Sequence, residues 1–140
     1  MRKILMLGLV LAVVLVVGGG SAALAQEAAR AKLLGVWQGM LRFGTTAPAT
    51  MEFFEDGGVL KWKCSFSTSS KILWGDAEGT VTTLALPKVE ARGVYTKHSV
   101  PGGAGTGVTF ALTLDGDQLN GQATADMNQI ATAVTLTRKK

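Results

Sequence analysis

Apolar and polar side chains alternate along most of the chain from Gly35 onward, in short segments separated by turn residues. The clearest segment covers residues 59–66, where the apolar set Leu60, Trp62, Cys64 and Phe66 alternates with Lys61, Lys63 and Ser65. A period of two is typical of a strand with one buried face and one solvated face. The pattern therefore predicts a domain built mainly from strands.

Turn residues divide the chain into further strands. Asp56-Gly57-Gly58 and Asp115-Gly116-Asp117 have the composition of tight hairpin turns, and Pro87 is expected to end a strand. The predicted strands cover residues 36–43, 49–55, 59–66, 71–74, 79–86, 88–96, 108–114, 118–125 and 130–138. Eight or nine strands joined mainly by short turns predict an all-β, closed antiparallel meander, because closure removes exposed strand edges.

Two segments depart from the alternation. Residues 26–34 are rich in alanine and leucine, which favours a short helix that ends before Gly35. The segment from His98 to Gly107 has one proline and four glycines and no periodicity, so a long mobile loop is predicted there. His98 is the only histidine. We interpret it as a solvated loop residue, because no other metal-ligating residue lies at ligand spacing from it.

The first 25 residues have the three parts of a secretory signal peptide. Arg2 and Lys3 are followed by an apolar run over residues 4–17, and Ala23-Leu24-Ala25 predicts cleavage before Gln26. A membrane anchor is the competing interpretation, but a span needs about 20 apolar residues, and this run has 14. We therefore expect an exported protein, periplasmic or secreted, with no membrane span after cleavage.

Residues 26–140 form one predicted domain of 115 residues, which is enough for one core but not for two. Loss of Arg2 and Lys3 lowers the net charge from +4 to +2, and no basic run is interleaved with aromatic residues. Nucleic acid is therefore not an expected partner. Cys64 is the only cysteine, which excludes an intramolecular disulfide, and it lies too far from the predicted cleavage point for a lipoprotein signal. Its place in an apolar stripe indicates a buried thiol.

Gly35, Trp37 and Arg138 stand at the two ends of the predicted barrel. Gly35-Val36-Trp37 follows the short helix, and Arg138 ends the last strand. The set resembles the Gly-x-Trp signature and the late arginine of the calycins, the lipocalin and avidin superfamily, as expected for a small barrel of the bacterial cell envelope. The resemblance implies an up-and-down barrel of about eight strands, with Arg138 over Trp37, the helix closing one mouth, and room for one small ligand. The avidin ligand residues are absent as a set, so no biotin site is expected.

Four aromatic side chains are the candidates for ligand binding: Trp62, Trp74, Phe66 and Phe110. Such rings commonly line small-molecule pockets, although ordinary core packing is the alternative for both tryptophans. Most aspartates lie beside glycine in turns, where they hydrogen-bond the local backbone. No nucleophile, acid and base pair, metal site or cofactor motif emerges from the pattern, so we do not expect an enzyme.

Two functions are compatible with these features. The first is an exported barrel that binds a small hydrophobic or amphipathic ligand in its interior. The alternative is an envelope barrel with a filled core that binds or inhibits a protein partner through its loops, and the segment from His98 to Gly107 motivates it. An interior cavity of about 300 Å³ or more favours the first function, and a filled core favours the second.

Overall fold

The computed structural model describes residues 22–140. The basic start and the apolar run of the predicted signal peptide lie outside the described residues. A helix covers residues 22–33, where helix-forming alanine and leucine predominate. Within residues 22–140, no helix combines the length and the hydropathy needed to span a bilayer.

Eight antiparallel strands form a closed barrel over the rest of the chain. The strands are β1 (Gly35–Arg42), β2 (Thr46–Asp56), β3 (Val59–Ser67), β4 (Trp74–Ala85), β5 (Lys88–His98), β6 (Gly107–Asp115), β7 (Gln118–Ala125) and β8 (Ala131–Arg138). Each strand pairs with its neighbours in the chain, and β1 pairs with β8 to close the barrel. The predicted all-β fold, a closed antiparallel barrel of about eight strands, is confirmed.

β4 differs from the prediction, because residues 71–74 and 79–86 were expected to form two strands with a turn at Gly75 and Asp76. The turn lies earlier, where Thr68 N–H donates to the Leu73 carbonyl at 2.9 Å, and β4 runs unbroken from Trp74. A Cβ on Gly75 would lie 2.9 Å from the Phe66 ring. The glycine therefore provides room for an aromatic side chain and does not form a turn.

The barrel has two unlike ends. Short hairpin turns join β2 to β3, β4 to β5 and β6 to β7 at one end, which we call the hairpin end. Residues 43–45, 68–73, 99–106 and 126–130 connect the strands at the other, which we call the loop end. Large inward side chains fill the hairpin half, among them the fully buried Trp37, Met51, Phe53, Trp62, Val89, Leu119 and Leu136. Several inward positions towards the loop end are small instead, including Ala47, Ala49, Ala77 and Ala123.

Arg138 and Trp37 pack together at the hairpin end. The Arg138 guanidinium carbon lies 4.5 Å from the Trp37 ring centroid, and its Nη1 donates a hydrogen bond to the Leu34 carbonyl at 2.8 Å. Trp37 is fully buried and its Nε1 donates to the Leu33 carbonyl at 2.8 Å. Arg138 Nε also lies 3.4 Å from an Asp117 carboxylate oxygen. One guanidinium therefore joins β1, β8 and the turn between β6 and β7.

Gly35 and Gly39 allow β1 to take its place beside β8. Gly35 has a φ of +121°, which glycine adopts without steric cost, and a Cβ there would touch Arg138 Nη1 at 3.4 Å. A Cβ on Gly39 would lie only 2.8 Å from the Leu136 Cα of β8. The first and last strands can pair this closely because residue 39 has no side chain.

We expect Arg138→Ala to lower the free energy of unfolding by about 1–3 kcal/mol, since it removes a cation–π contact and a hydrogen bond to a backbone carbonyl. Lys140→Ala is the matched control, because Lys140 Nζ lies 3.6 Å from the same Asp117 carboxylate but its side chain is 83% exposed. Urea denaturation of the two variants tests this. Equal losses would show that the ion pair with Asp117, and not the packing on Trp37, stabilises this end.

Candidate functional site: an interior cavity at the loop end

A cavity of about 520 Å³ opens at the loop end of the barrel. Its volume falls within the range of about 300–1,000 Å³ that is usual for small-molecule sites. The side chains that line it are Leu41, Phe43, Cys64, Phe66, Leu73, Tyr95, His98, Val100, Pro101, Phe110, Ala123, Ala125, Met127, Asn128, Ile130 and Thr132, together with Gly102. They come from six strands and from all four connections at this end. The interior is therefore filled in one half and hollow in the other.

The cavity wall is apolar and uncharged. Of the described residues that line it, none is Asp, Glu, Lys or Arg. Its polar side chains are Cys64, Tyr95, His98, Asn128 and Thr132. Burial of apolar surface is therefore the main source of binding energy that this cavity offers to a ligand.

Aromatic rings form one wall of the cavity. Phe66 contacts three rings edge to face, with centroid distances of 6.2 Å to Phe43, 6.4 Å to Tyr95 and 6.1 Å to His98. Tyr95 and His98 also pack edge to face at 4.7 Å. Such pairs are favourable beyond the area they bury. The cluster holds Tyr95 and His98 side by side.

A β-bulge in β5 decides which side chains reach this wall. Ala77 of β4 pairs with Tyr95, and Asp76 pairs with Lys97, so Thr96 is an extra residue in the register. The Thr96 hydroxyl donates to the Asp76 carbonyl at 3.2 Å. Strict alternation would put Lys97 on the same face as Tyr95, but the extra residue turns Lys97 outward and His98 inward. The bulge thus replaces an ammonium group with an imidazole at the cavity.

The interpretation of His98 as a solvated loop residue is wrong. His98 is the last residue of β5, is only partly exposed, and lines the cavity. Residues 99–106 are also tied to β5, because Gly105 N–H donates to the Tyr95 carbonyl at 2.7 Å and Tyr95 N–H donates to the Thr106 carbonyl at 2.9 Å. The glycines of this segment shape a compact hydrogen-bonded connection, which the missing periodicity did not indicate.

The titratable groups of the cavity are held in their neutral forms. Burial lowers the pKa of His98 below its ordinary value of 6.5. Burial, and to a lesser degree the nearby Cys64, raises the pKa of Tyr95. Burial, assisted by the charge of Asp76, raises the pKa of Cys64 to about 12. A thiol with so high a pKa is a poor nucleophile near neutral pH.

The hydrogen bonding of His98 fixes its tautomer. Val100 N–H donates to His98 Nδ1 at 3.0 Å, so Nδ1 carries the lone pair and Nε2 carries the proton. Asn128 likewise accepts a hydrogen bond from the backbone N–H two residues after it, since Ile130 N–H donates to Asn128 Oδ1 at 3.0 Å. In both loops a side chain thus fixes the backbone that borders the cavity.

The four candidate ligand residues occupy three different places. Phe66 and Phe110 line the cavity. Trp62 lies beneath it, fully buried and edge to face with Phe110 at 5.0 Å, with Nε1 donating to the Thr80 carbonyl at 3.1 Å. Trp74 lies on the outer surface, 38% exposed, beside a shallow groove that Pro48, Lys71 and Asp76 help to form. Trp62 therefore supports the cavity floor, and Trp74 belongs to a different surface.

Sequence reasoning did not place Tyr95, His98, Thr132 or the loop residues Leu73 and Met127 at the binding site. Alternation over residues 88–96 contained the signal for Tyr95, because Val89, Ala91 and Tyr95 share one face. The inward orientation of His98 depends on the bulge, and no turn residue in the sequence indicates that bulge. Among residues 22–140, no group of three or more His, Cys, Asp or Glu side chains is placed to hold a metal ion.

Comparison with protein-family models, curated proteins and solved structures gave no match to this chain. The cavity must therefore be interpreted from its own side chains.

We expect the free energy of unfolding to decrease as the pH falls below about 6.5, because the lowered pKa of His98 means that the unfolded chain takes up a proton before the folded chain does. The loss ends once the pH has passed the folded-state pKa. His98→Asn should remove this dependence, since an asparagine can accept the Val100 N–H bond as Asn128 does at Ile130, and the chain has no other histidine.

Urea denaturation of both proteins at several pH values between about 5 and about 8 measures the effect. A wild-type slope that persists unchanged in His98→Asn would contradict the assignment to His98.

Proposed function

We propose that this protein binds a small apolar or amphipathic molecule inside the barrel. The observation that carries the proposal is the cavity of about 520 Å³ at the loop end, with an apolar wall and a few polar side chains. A barrel that served only as a scaffold for its loops would gain stability from larger apolar side chains in this space, because burial of apolar surface contributes about 25 cal/mol per Å². The barrel keeps an apolar cavity although filling it would add stability, so we expect the cavity to hold a ligand.

The mouth of the cavity supports entry of such a molecule. Val100, Met127 and Ile130 line the cavity and are 42%, 36% and 59% exposed. They lie on two different connections, residues 99–106 and 126–130, so apolar surface borders the opening on two sides. An apolar molecule would therefore meet apolar surface from the mouth inward.

We further propose that the protein works outside the cytoplasm, periplasmic or secreted, and that it is a calycin-like carrier. The signal-peptide pattern of the first 25 residues supports export. The contact of Arg138 with Trp37 at the hairpin end, in an eight-stranded up-and-down barrel, supports the calycin-like assignment. A carrier is favoured over an enzyme with a thiolate nucleophile, because the only cysteine, Cys64, is buried with a raised pKa.

An interaction barrel is the second candidate function. It is favoured by Ile72, which is 80% exposed on the connection of residues 68–73 and does not line the cavity. Exposed apolar patches mark protein contacts, and Ile72 is two residues from the partly exposed Trp74. Filling the cavity separates the two functions, since a partner bound through the loops does not need the hollow.

We expect the neutral fluorescent probe N-phenyl-naphthylamine to bind saturably and to change the emission of Trp62, which packs on Phe110 at the cavity floor. Trp74→Phe serves as the background protein, because it removes a partly exposed tryptophan outside the cavity. Ala125→Leu places a larger side chain on the cavity wall and should weaken probe binding about tenfold or more.

Ala111→Leu is the matched control, since Ala111 is exposed on the outer face of β6 and the same enlargement there should leave binding unchanged. Native mass spectrometry of the exported protein, purified without denaturation, tests for a passenger molecule. If no neutral apolar probe binds and no passenger is found, the interior-carrier function is wrong.

A further inference from the structure

The aromatic wall of the cavity carries two polar groups with no hydrogen-bond partner among residues 22–140, the Tyr95 hydroxyl and His98 Nε2. Both side chains line the cavity, and their rings are 4.7 Å apart. A polar group that faces an apolar hollow loses hydration when the hollow fills, unless the occupant supplies a partner. These two groups therefore constrain the chemistry of the occupant.

Both groups are available as hydrogen-bond donors. Val100 N–H occupies the Nδ1 lone pair of His98, so the ring presents an N–H group at Nε2. Tyr95 is protonated at neutral pH, because the ordinary pKa of tyrosine is 10.0 and burial raises the pKa of Tyr95 further. A ligand atom with two lone pairs, such as a carbonyl oxygen, can accept from two donors at once.

The rest of the wall argues against a charged ligand. Of the described residues around the cavity, none supplies a full charge to neutralise a carboxylate or an ammonium group. An unpaired charge in such a place is far more costly than a dipole. The bulge at Thr96 strengthens this selection, because it keeps the Lys97 ammonium group out of the cavity.

Building on the proposed carrier function, we propose that the ligand is an uncharged, mainly apolar molecule with one acceptor oxygen, of the ketone or ester class, and that this oxygen accepts hydrogen bonds from the Tyr95 hydroxyl and from His98 Nε2–H. Phe66, Phe110 and the alanines of β7 then surround the apolar part. Tyr95 and His98 act as the residues that determine specificity.

The test compares three ligands of similar size by displacement of N-phenyl-naphthylamine: hexylbenzene, hexanophenone and ionised para-pentylbenzoate. Hexanophenone carries a carbonyl group where hexylbenzene has a methylene group. Absolute affinities include the different hydration of the two molecules, so the informative quantity is how each protein variant changes the affinity for each ligand.

Tyr95→Phe removes only the hydroxyl, and His98→Asn removes the Nε2–H donor while keeping an acceptor for Val100 N–H. Each should weaken hexanophenone binding about three- to tenfold and leave hexylbenzene within about twofold. Thr113→Val is the matched control, because it also removes a hydroxyl but from the exposed outer face of β6, outside the cavity. It should change neither affinity.

The possible outcomes separate this proposal from the carrier function. If hexylbenzene and hexanophenone both bind but Tyr95→Phe and His98→Asn affect them equally, the acceptor-oxygen assignment is overturned and the carrier function stands. If none of the three ligands displaces the probe and no other neutral apolar molecule binds, the carrier function itself is wrong. If para-pentylbenzoate binds as tightly as hexanophenone at about pH 8, where His98 is neutral, the uncharged class is excluded.

Discussion

The pairing of β1 with β8 is the constraint on which the rest of the structure depends. Eight strands can enclose an interior only when the first and the last exchange backbone hydrogen bonds, and this pairing runs from Trp37 opposite Arg138 to Arg42 opposite Ala133. Gly39 permits the close approach of the two strands, and the Arg138 guanidinium ties their hairpin ends to Leu34 and Asp117. Because closure leaves no free strand edge, the barrel keeps its shape although half of the interior is hollow.

The fold could be predicted from the sequence because its signals are local. Alternation such as that of residues 59–66 identifies a half-buried strand, and Asp-Gly turns set the hairpins between them. The same local reasoning failed at Gly75, which was expected in a turn and lies inside β4 beneath the Phe66 ring. The sequence alone does not distinguish a glycine that makes room for a neighbouring side chain from a glycine that forms a turn. Only the contact with the neighbouring strand distinguishes them.

The cavity was less accessible to prediction, because its position depends on which inward side chains lie at the same height in different strands. Phe66 and Phe110 were identified through their inward faces, and Trp62 shares that alternation but lies one layer below the cavity. Trp74 is at the start of β4, where the strand turns the ring outward. His98 was missed because one extra residue in β5 reverses the inward and outward positions beyond it, and a single sequence carries no sign of that shift.

The bulge at Thr96 makes the charge of the cavity wall depend on strand register as well as on side-chain identity. Tyr95, Thr96, Lys97 and His98 contain both an ammonium group and an imidazole, and the bulge selects which of the two borders the hollow. Regular pairing of the same residues, without the bulge, would bring Lys97 inward with no substitution anywhere in the barrel. A shift of the bulge along β5 would therefore change the wall from one suited to neutral molecules to one suited to anions, which is a shorter route to a new ligand class than repeated exchange of wall residues.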